Sequence, residues 1–418
     1  MARIVVAGGS LPGIAAAARL ARAGHDVTLV EAGDRLGGRL AGPGIWAPVI
    51  DFPAPLRDMF RKSGRPFDAE LGRRGLRLVP APSAVHIFAD STRLTWPTGR
   101  AEQWHLLNER YASGIATHWR DTIDDLDETW QLLRPLGLEG ELTDRSQIRS
   151  RRPRLDGRRS VEDLARHVAH PHLAELVRDT ARRAGSDPRT TPAWLASRLS
   201  VERTFGRWLV VDADGAVQPA TVLLDALTER LSTRGVHVLT DTHVVRLRPD
   251  RVTTSSGDVP ADAVVSALNP WLHHRLLGVR DVGGRSNTAR TMPALAPLVT
   301  VRHDPGQLPF GEEIHHTPGG PIVTYTRPDA AGTEIVVHDY TSARATPGAG
   351  VRWKGPRTWL RIPPVRTPKH RRLFVASASG RGGNEPWAQL LTGALATYAA
   401  HEELAGEDIR PSNRSYRP

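Results

Sequence analysis

The opening of the chain constrains its fold more than any other part. A short apolar run, Ile4-Val5-Val6-Ala7, leads into the turn Gly8-Gly9-Ser10-Leu11-Pro12-Gly13; an alanine-rich stretch, a second apolar run ending at Glu31, and Gly37-Gly38-Arg39 follow. That order predicts a βαβ unit that holds a dinucleotide. Gly8 permits the tight turn out of the first strand, and the exposed amides at the helix start, beside Gly9 and Ser10, attract a pyrophosphate. Gly13 lets helix and strand pack closely. A carboxylate at Glu31 can accept hydrogen bonds from the adenosine ribose hydroxyls and would repel a 2′-phosphate, so FAD or NAD is favoured over NADP. A glycine-rich turn in an ordinary α/β domain is the competing reading, and the ordered succession of elements weighs against it.

The stretch Glu31-Ala32-Gly33-Asp34-Arg35-Leu36-Gly37-Gly38-Arg39 resembles the E-A-x-x-R-x-G-G-R signature of the flavin amine oxidase and phytoene desaturase superfamily. The resemblance implies FAD as cofactor, with Ala32 and Arg35 in the signature, Arg39 neutralising phosphate charge and Gly38 giving the backbone room. It also implies an α/β fold: a Rossmann-like FAD-binding domain built on a parallel sheet, with an inserted α+β substrate-binding domain. Two later stretches resemble further cofactor segments. A helix over 221–233 feeds short β-runs, in which Val244 would present backbone groups to adenine. A buried strand over 372–377, a glycine-rich loop over 378–386 and a helix over 387–404 follow near the end, with Leu391-Thr392-Gly393-Ala394-Leu395-Ala396 similar to the closing S-G-x-x-A-A helix. Gly383 and Gln389 would lie near the flavin there. The expected FAD-binding domain is thus 1–56, 205–290 and 366–418, and the substrate-binding domain 57–204 and 291–365.

Between these segments, alternation predicts strands at 76–79 and 85–88 joined in a hairpin-like segment, with 89–91 as its turn. From about 102 to 203 the pattern is mostly helical.

The 418 residues suffice for two or three domains. The absence of cysteine excludes disulfides, thiolate nucleophiles and iron–sulfur clusters. The net charge of +11 is carried by scattered arginines, the lysines being Lys62, Lys354 and Lys369, so no nucleic-acid module is expected. Modest attraction to an anionic membrane surface is compatible with that charge, and homo-oligomerisation or a partner protein stays open. The apolar N-terminal stretch is read as part of the nucleotide fold rather than a secretory signal, which places the protein in the cytoplasm, with or without membrane association.

The expected activity is that of an FAD-dependent oxidoreductase that takes a hydride from a small apolar substrate, isoprenoid or polyene, to form a double bond; flavin carries the difficult step. A neighbouring proton needs an acceptor, for which Asp51 and Glu385 are the catalytic candidates, with Asn384 and Gln389 nearby. Asp51 reads equally as a helix cap and Glu385 as a partner of a helix dipole. Lys354 reads as an exposed lysine. The pairs His273-His274 and His315-His316 lack two-ligand helical spacing, so no metal is expected. Trp96, Trp104, Trp119 and Trp130 suit either an apolar tunnel or core packing. Four positions depart from the family pattern: Ser10, Phe52-Pro53 after Asp51, Val211 to Gly215, and Arg381 to Glu385. They keep open a second reading, a flavoprotein-fold scaffold or partner protein without turnover. An amine oxidase or flavin-dependent isomerase is the third.

Overall fold

The computed structural model describes residues 1–142, 146–149, 155, 159–278 and 287–411. Parts of the expected helical region (143–145, 150–154, 156–158) and of the expected cofactor segments (279–286, 412–418) lie outside the described residues.

The protein is a mixed α/β fold organised on a five-stranded sheet. Its strand order is Leu373–Val375, Ala263–Ser266, Arg3–Ala7, Asp26–Val30, His237–Leu239, and every pairing is parallel. Strands buried on both faces read as continuous apolar runs rather than alternating ones. Ile4 to Ala7 and Ala263 to Ser266 are buried throughout, as that rule requires. Three segments far apart in sequence thereby meet in one sheet.

The helix Leu11–Arg22 covers this sheet with an apolar face in which Ile14 through Ala18 are all inaccessible to solvent. Against it packs the helix Pro386–Ala405. Small side chains permit the approach: a Cβ at Gly393 would fall 2.7 Å from the Pro12 carbonyl oxygen and 2.8 Å from Ala15 Cβ. No described helix is long and apolar enough to cross a membrane.

A six-stranded sheet forms the second layer, in the order Leu295–Asp304, Gly332–Ala345, Gly320–Asp329, Gly311–Thr317, Ala84–Ile87, Arg93–Trp96. The helices Ile115–Leu133, Pro171–Arg183 and Arg198–Phe205 pack with it around a separate apolar core. The expected hairpin is corrected here. Ala84–Ile87 pairs with Arg93–Trp96 around Ser91, whose φ is 67°. Arg77–Pro80 pairs instead with Trp208–Val211. Pro80 and Pro82 interrupt the chain between the two runs, and proline cannot donate to a ladder, so the first run leaves for another partner.

Candidate functional site

Two cavities meet where the layers join. The first, about 220 Å³, follows the edge of the parallel sheet and is lined by Gly8, Ser10, Glu31, Gly38, Arg39, Ala267, Asn384 and Gln389, among others. The sequence folds here as its glycines demand. A Cβ at Gly13 would sit 2.1 Å from the Gly8 carbonyl oxygen, so no other residue allows this turn. The first-turn amides of Leu11–Arg22 lack intrahelical acceptors and can donate to an anion. Ser10 does not obstruct that position: its hydroxyl donates to the Ala267 carbonyl at 3.0 Å. Glu31 accepts from the Gly9 amide at 2.6 Å through Oε2 and from the Gly33 amide at 2.9 Å through Oε1, which fixes the carboxylate. Each oxygen retains a lone pair for a ribose hydroxyl.

Arg39 is half-buried, and burial lowers its pKa, a pull that Tyr340 opposes. Among the described residues no carboxylate pairs with it, which suits a guanidinium meant for phosphate. The residues present therefore fit FAD. Gln389, buried, donates to the Asn384 carbonyl at 2.8 Å and ties the loop before Pro386–Ala405 to that helix.

Six of the expected cofactor residues, Gly9, Gly13, Ala32, Arg35, Val244 and Gly383, are not among those lining this first cavity. Ala32 is exposed, and Arg35 donates to the Ala41 carbonyl at 2.7 Å beside a separate groove. Val244 packs with Leu239 and Leu268. Gly383 borders a small void that Asn384 also lines. The segment after Glu31 contributes Gly37, Gly38 and Arg39 to the lining, while the strand Val244–Arg248 belongs to its own three-stranded sheet.

The second cavity, about 260 Å³, shares Arg39, Leu40, Ala349 and Asn384 with the first. Asp51 and Glu385 both line it. Asp51 does not cap a helix, because Pro53 holds that position before Ala54–Ser63. Glu385 directly precedes Pro386–Ala405, yet its side chain forms an ion pair with Arg198. Burial raises the Glu385 pKa, and Arg198 opposes the rise.

Much of the lining was not singled out from sequence: Asp179 and Arg183, Arg198 and Glu202, His86, Arg207, Glu312, Tyr325, His338 and Tyr340. Arg207 pairs with Glu312, and Arg203 reaches Asp124 at 2.7 Å. Burial would lower the Arg183 pKa, but Tyr325, Tyr340, Asp51 and Glu202 together raise it. Glu202 is raised by burial and by Asp51, with Arg207 and Arg183 acting against it. Burial pushes the Tyr325 hydroxyl up to about 12 and His338 down to about 4. One signal was available: Asp179/Arg183 and Arg198/Glu202 are each four apart on helices, so each pair shares a face.

The tryptophans divide. Trp96 and Trp119 line the second cavity, Trp104 is 39% exposed, and Trp130 packs with Phe52 and Trp387. The Phe52 departure thus places an aromatic ring in the buried cluster behind Trp387, which lines the second cavity. Lys354 is exposed and lines neither cavity. Of the histidine pairs, His273 is buried against the Ser266 hydroxyl at 2.8 Å, and His316 is buried while His315 is exposed.

Comparison with known proteins bears on this site. The family described as flavin containing amine oxidoreductase matches residues 11–43, and that described as FAD dependent oxidoreductase matches 165–354. A 4,4'-diapophytoene desaturase (4,4'-diaponeurosporene-forming) from Staphylococcus aureus is 25% identical over 222 residues, 49% of this chain and 42% of that protein. The match therefore spans less than half the length of such relatives. An oxidoreductase from Methanosarcina mazei superposes with a TM-score of 0.63 at 14% identity over 94% of this chain and 99% of that one. Cyclohexylamine oxidase from Brevibacterium oxydans gives 0.61 at 14% identity over 96% and 99%; a putrescine oxidase variant gives 0.64 at 14% over 97% and 99%. These structures share the fold. Taken with the glycine cradle, Glu31 and Arg39, the family matches imply FAD as the cofactor and support the FAD-dependent phytoene desaturase and amine oxidase superfamily for this chain.

Proposed function

We propose that the chain is an FAD-dependent oxidoreductase that takes a hydride from a carbon atom of a small, polar substrate held in the second cavity. The observation that carries this is the junction: a cavity in which charged side chains stand among apolar ones opens on the cofactor cleft through Arg39, Leu40, Ala349 and Asn384. FAD, when bound, supplies the hydride acceptor. The first-turn amides and Arg39 would hold its pyrophosphate, and Glu31 its ribose.

An uncharged polyene would displace water from Asp51, Arg183 and Glu202 and offer none of them a hydrogen bond, leaving only their mutual attraction and Arg207 to offset the desolvation. The volume also lies at the small end of ligand pockets. A polar substrate carrying hydrogen-bonding or charged groups answers both points. Burial raises the pKa of both Glu202 and Glu385, which suits carboxyl groups that hold or exchange a proton.

Double-bond formation in an apolar or isoprenoid substrate is the second reading. The desaturase relatives favour it, as does the apolar wall of Trp96, Trp119, Ile123 and Leu176. The test is to purify the protein, record its visible spectrum and identify any nucleotide released on denaturation. The holoprotein is then mixed anaerobically with panels of small amines, amino acids, hydroxy acids and polyenes. Bleaching by a polar compound supports the proposal, and bleaching by polyenes alone establishes the second reading. A protein that takes up no FAD sinks both.

A further inference from the structure

A chain of three ionisable side chains lies along the wall of the second cavity, with His86 and Asp179 on the lining and His316 between them. His86 Nδ1 lies 2.8 Å from His316 Nε2, and His316 Nδ1 lies 2.9 Å from Asp179 Oδ2. The other carboxylate oxygen, Asp179 Oδ1, accepts from Arg182 at 3.0 Å. Both imidazoles and Asp179 are buried, at 6% exposure or less. Adjacent parallel strands deliver the histidines, with Ile314 paired to His86, and the helix Pro171–Arg183 delivers the aspartate. Phe88 stacks on His316 at 4.6 Å with the rings 6° apart, which holds its plane.

We propose that His86 is the cavity's proton acceptor and that Asp179 and His316 position it, by fixing which ring nitrogen of His86 carries hydrogen. The Asp179 Oδ2 approach is an ion-pair contact whose angles do not make a hydrogen bond, but a carboxylate oxygen at 2.9 Å repels a ring lone pair and attracts an N–H, so it favours the hydrogen of a neutral His316 on Nδ1. His316 Nε2 is then an acceptor and takes the Nδ1 hydrogen of His86. The lone pair of His86 is left on Nε2, which has no hydrogen-bond partner among the described residues, and His86 lines the cavity.

This role rests on the oxidoreductase reading; the tautomer does not. In that reaction the substrate carbon gives up a hydride to FAD, the two-electron acceptor, while the adjoining N–H or O–H gives its proton to His86 Nε2. A carbon–heteroatom double bond forms. The Nδ1 hydrogen of His86 can move to His316 Nε2, and the imidazolium so formed faces the Asp179 carboxylate.

The surroundings favour a neutral resting His86. Burial, then His316, Arg207 and Arg183, hold its pKa well below the usual histidine value. Glu312 is engaged by Arg207, and the His172–Asp90 pair, 2.9 Å apart, lies beyond Phe88. A metal is the rival use of the cluster, since Glu175, Asp179 and His316 each place a ligand atom within 4.8 Å of the others. Arg182 already bonds both carboxylates, which neutralises the charge a cation would need.

The experiment is nitrogen NMR of the full-length protein with ring-labelled histidine at neutral pH, the signals being assigned with His86→Gln and His316→Gln. The expected spectrum shows pyrrole-type Nδ1 and pyridine-type Nε2 for His86. Asp179→Asn should move hydrogen toward Nε2, and Asp179→Glu should restore the native pattern. Hydrogen on Nε2 in the wild type overturns the proposal, as does a tautomer indifferent to Asp179→Asn in a folded variant. The wild-type spectrum suffices if a variant fails to fold. With a reducing substrate from the screen, His86→Gln should slow flavin reduction about 100-fold; an unchanged rate refutes the acceptor role. A preparation without flavin would count against the oxidoreductase reading and leave the tautomer result intact.

Discussion

Gly13 shows how a single hydrogen atom in place of a methyl group decides cofactor binding. In Gly13→Ala the new Cβ would meet the Gly8 carbonyl oxygen at 2.1 Å and Ala267 Cβ at 2.8 Å, and the backbone cannot yield without opening the turn. The variant should purify without FAD and fail to take it up, as followed by flavin absorbance. Ser10→Gly should keep FAD, because the serine hydroxyl is spent on Ala267 and not on the cofactor cleft. Glu385 is held by Arg198, so Glu385→Gln leaves a buried guanidinium without its anion. Urea unfolding should register a loss of about 3 kcal/mol. A combined Arg198→Met, Glu385→Gln variant should recover much of it, because the unpaired charge is gone.

Among elements, contacts between helices carry the same logic at larger spacing. Gly393→Val would push Pro386–Ala405 away from Leu11–Arg22, and thermal unfolding should show a drop of several degrees, about 2–4 °C for each kcal/mol lost. The helix Phe67–Arg73 is tied down by Glu70, which meets Arg73 at 2.9 Å, Arg74 at 3.2 Å and, from the helix Val222–Thr233, Arg230 at 2.5 Å. Burial alone would raise the Glu70 pKa, but hydrogen bonds from Arg73 and Arg74 and the charge of Arg230 outweigh it and lower the value. A depressed carboxyl stabilises the fold above the ordinary glutamate range, and that stability is lost as pH falls through the lower folded-state value. Glu70→Gln should therefore unfold earlier than the wild type at pH 7, and the two melting curves should converge in acid. The 77–80 strand marks where local reading of elements failed. Its alternation was correct, but the choice of Trp208–Val211 as partner is a long-range one that proline placement only hints at.

For the whole molecule, FAD should act as a clamp, because the cleft draws on segments from both ends and the middle of the chain. Ligand binding to the folded state alone stabilises by mass action, so adding FAD to protein stripped of it should raise the melting temperature, by about 3 kcal/mol of stability at a hundredfold excess over the dissociation constant. An unchanged melting temperature would mean that the cradle holds no FAD. The sequence by itself determined the βαβ unit, the carboxylate at Glu31, Arg39 and the return of later segments to one parallel sheet, because turn geometry and strand burial are written in local glycine spacing and apolar runs. It also placed Asp51 and Glu385 among the chemistry-bearing residues, and both line the second cavity. Only the tertiary structure decided the character of that cavity. His86, Asp179, Arg183, Arg198, Glu202 and Glu312 come from separate strands and helices, and each alone reads as an ordinary polar position. Their convergence is set by how the six-stranded sheet and its covering helices pack, a long-range outcome that no local pattern encodes, and it sets charged side chains among the apolar ones that line the chamber.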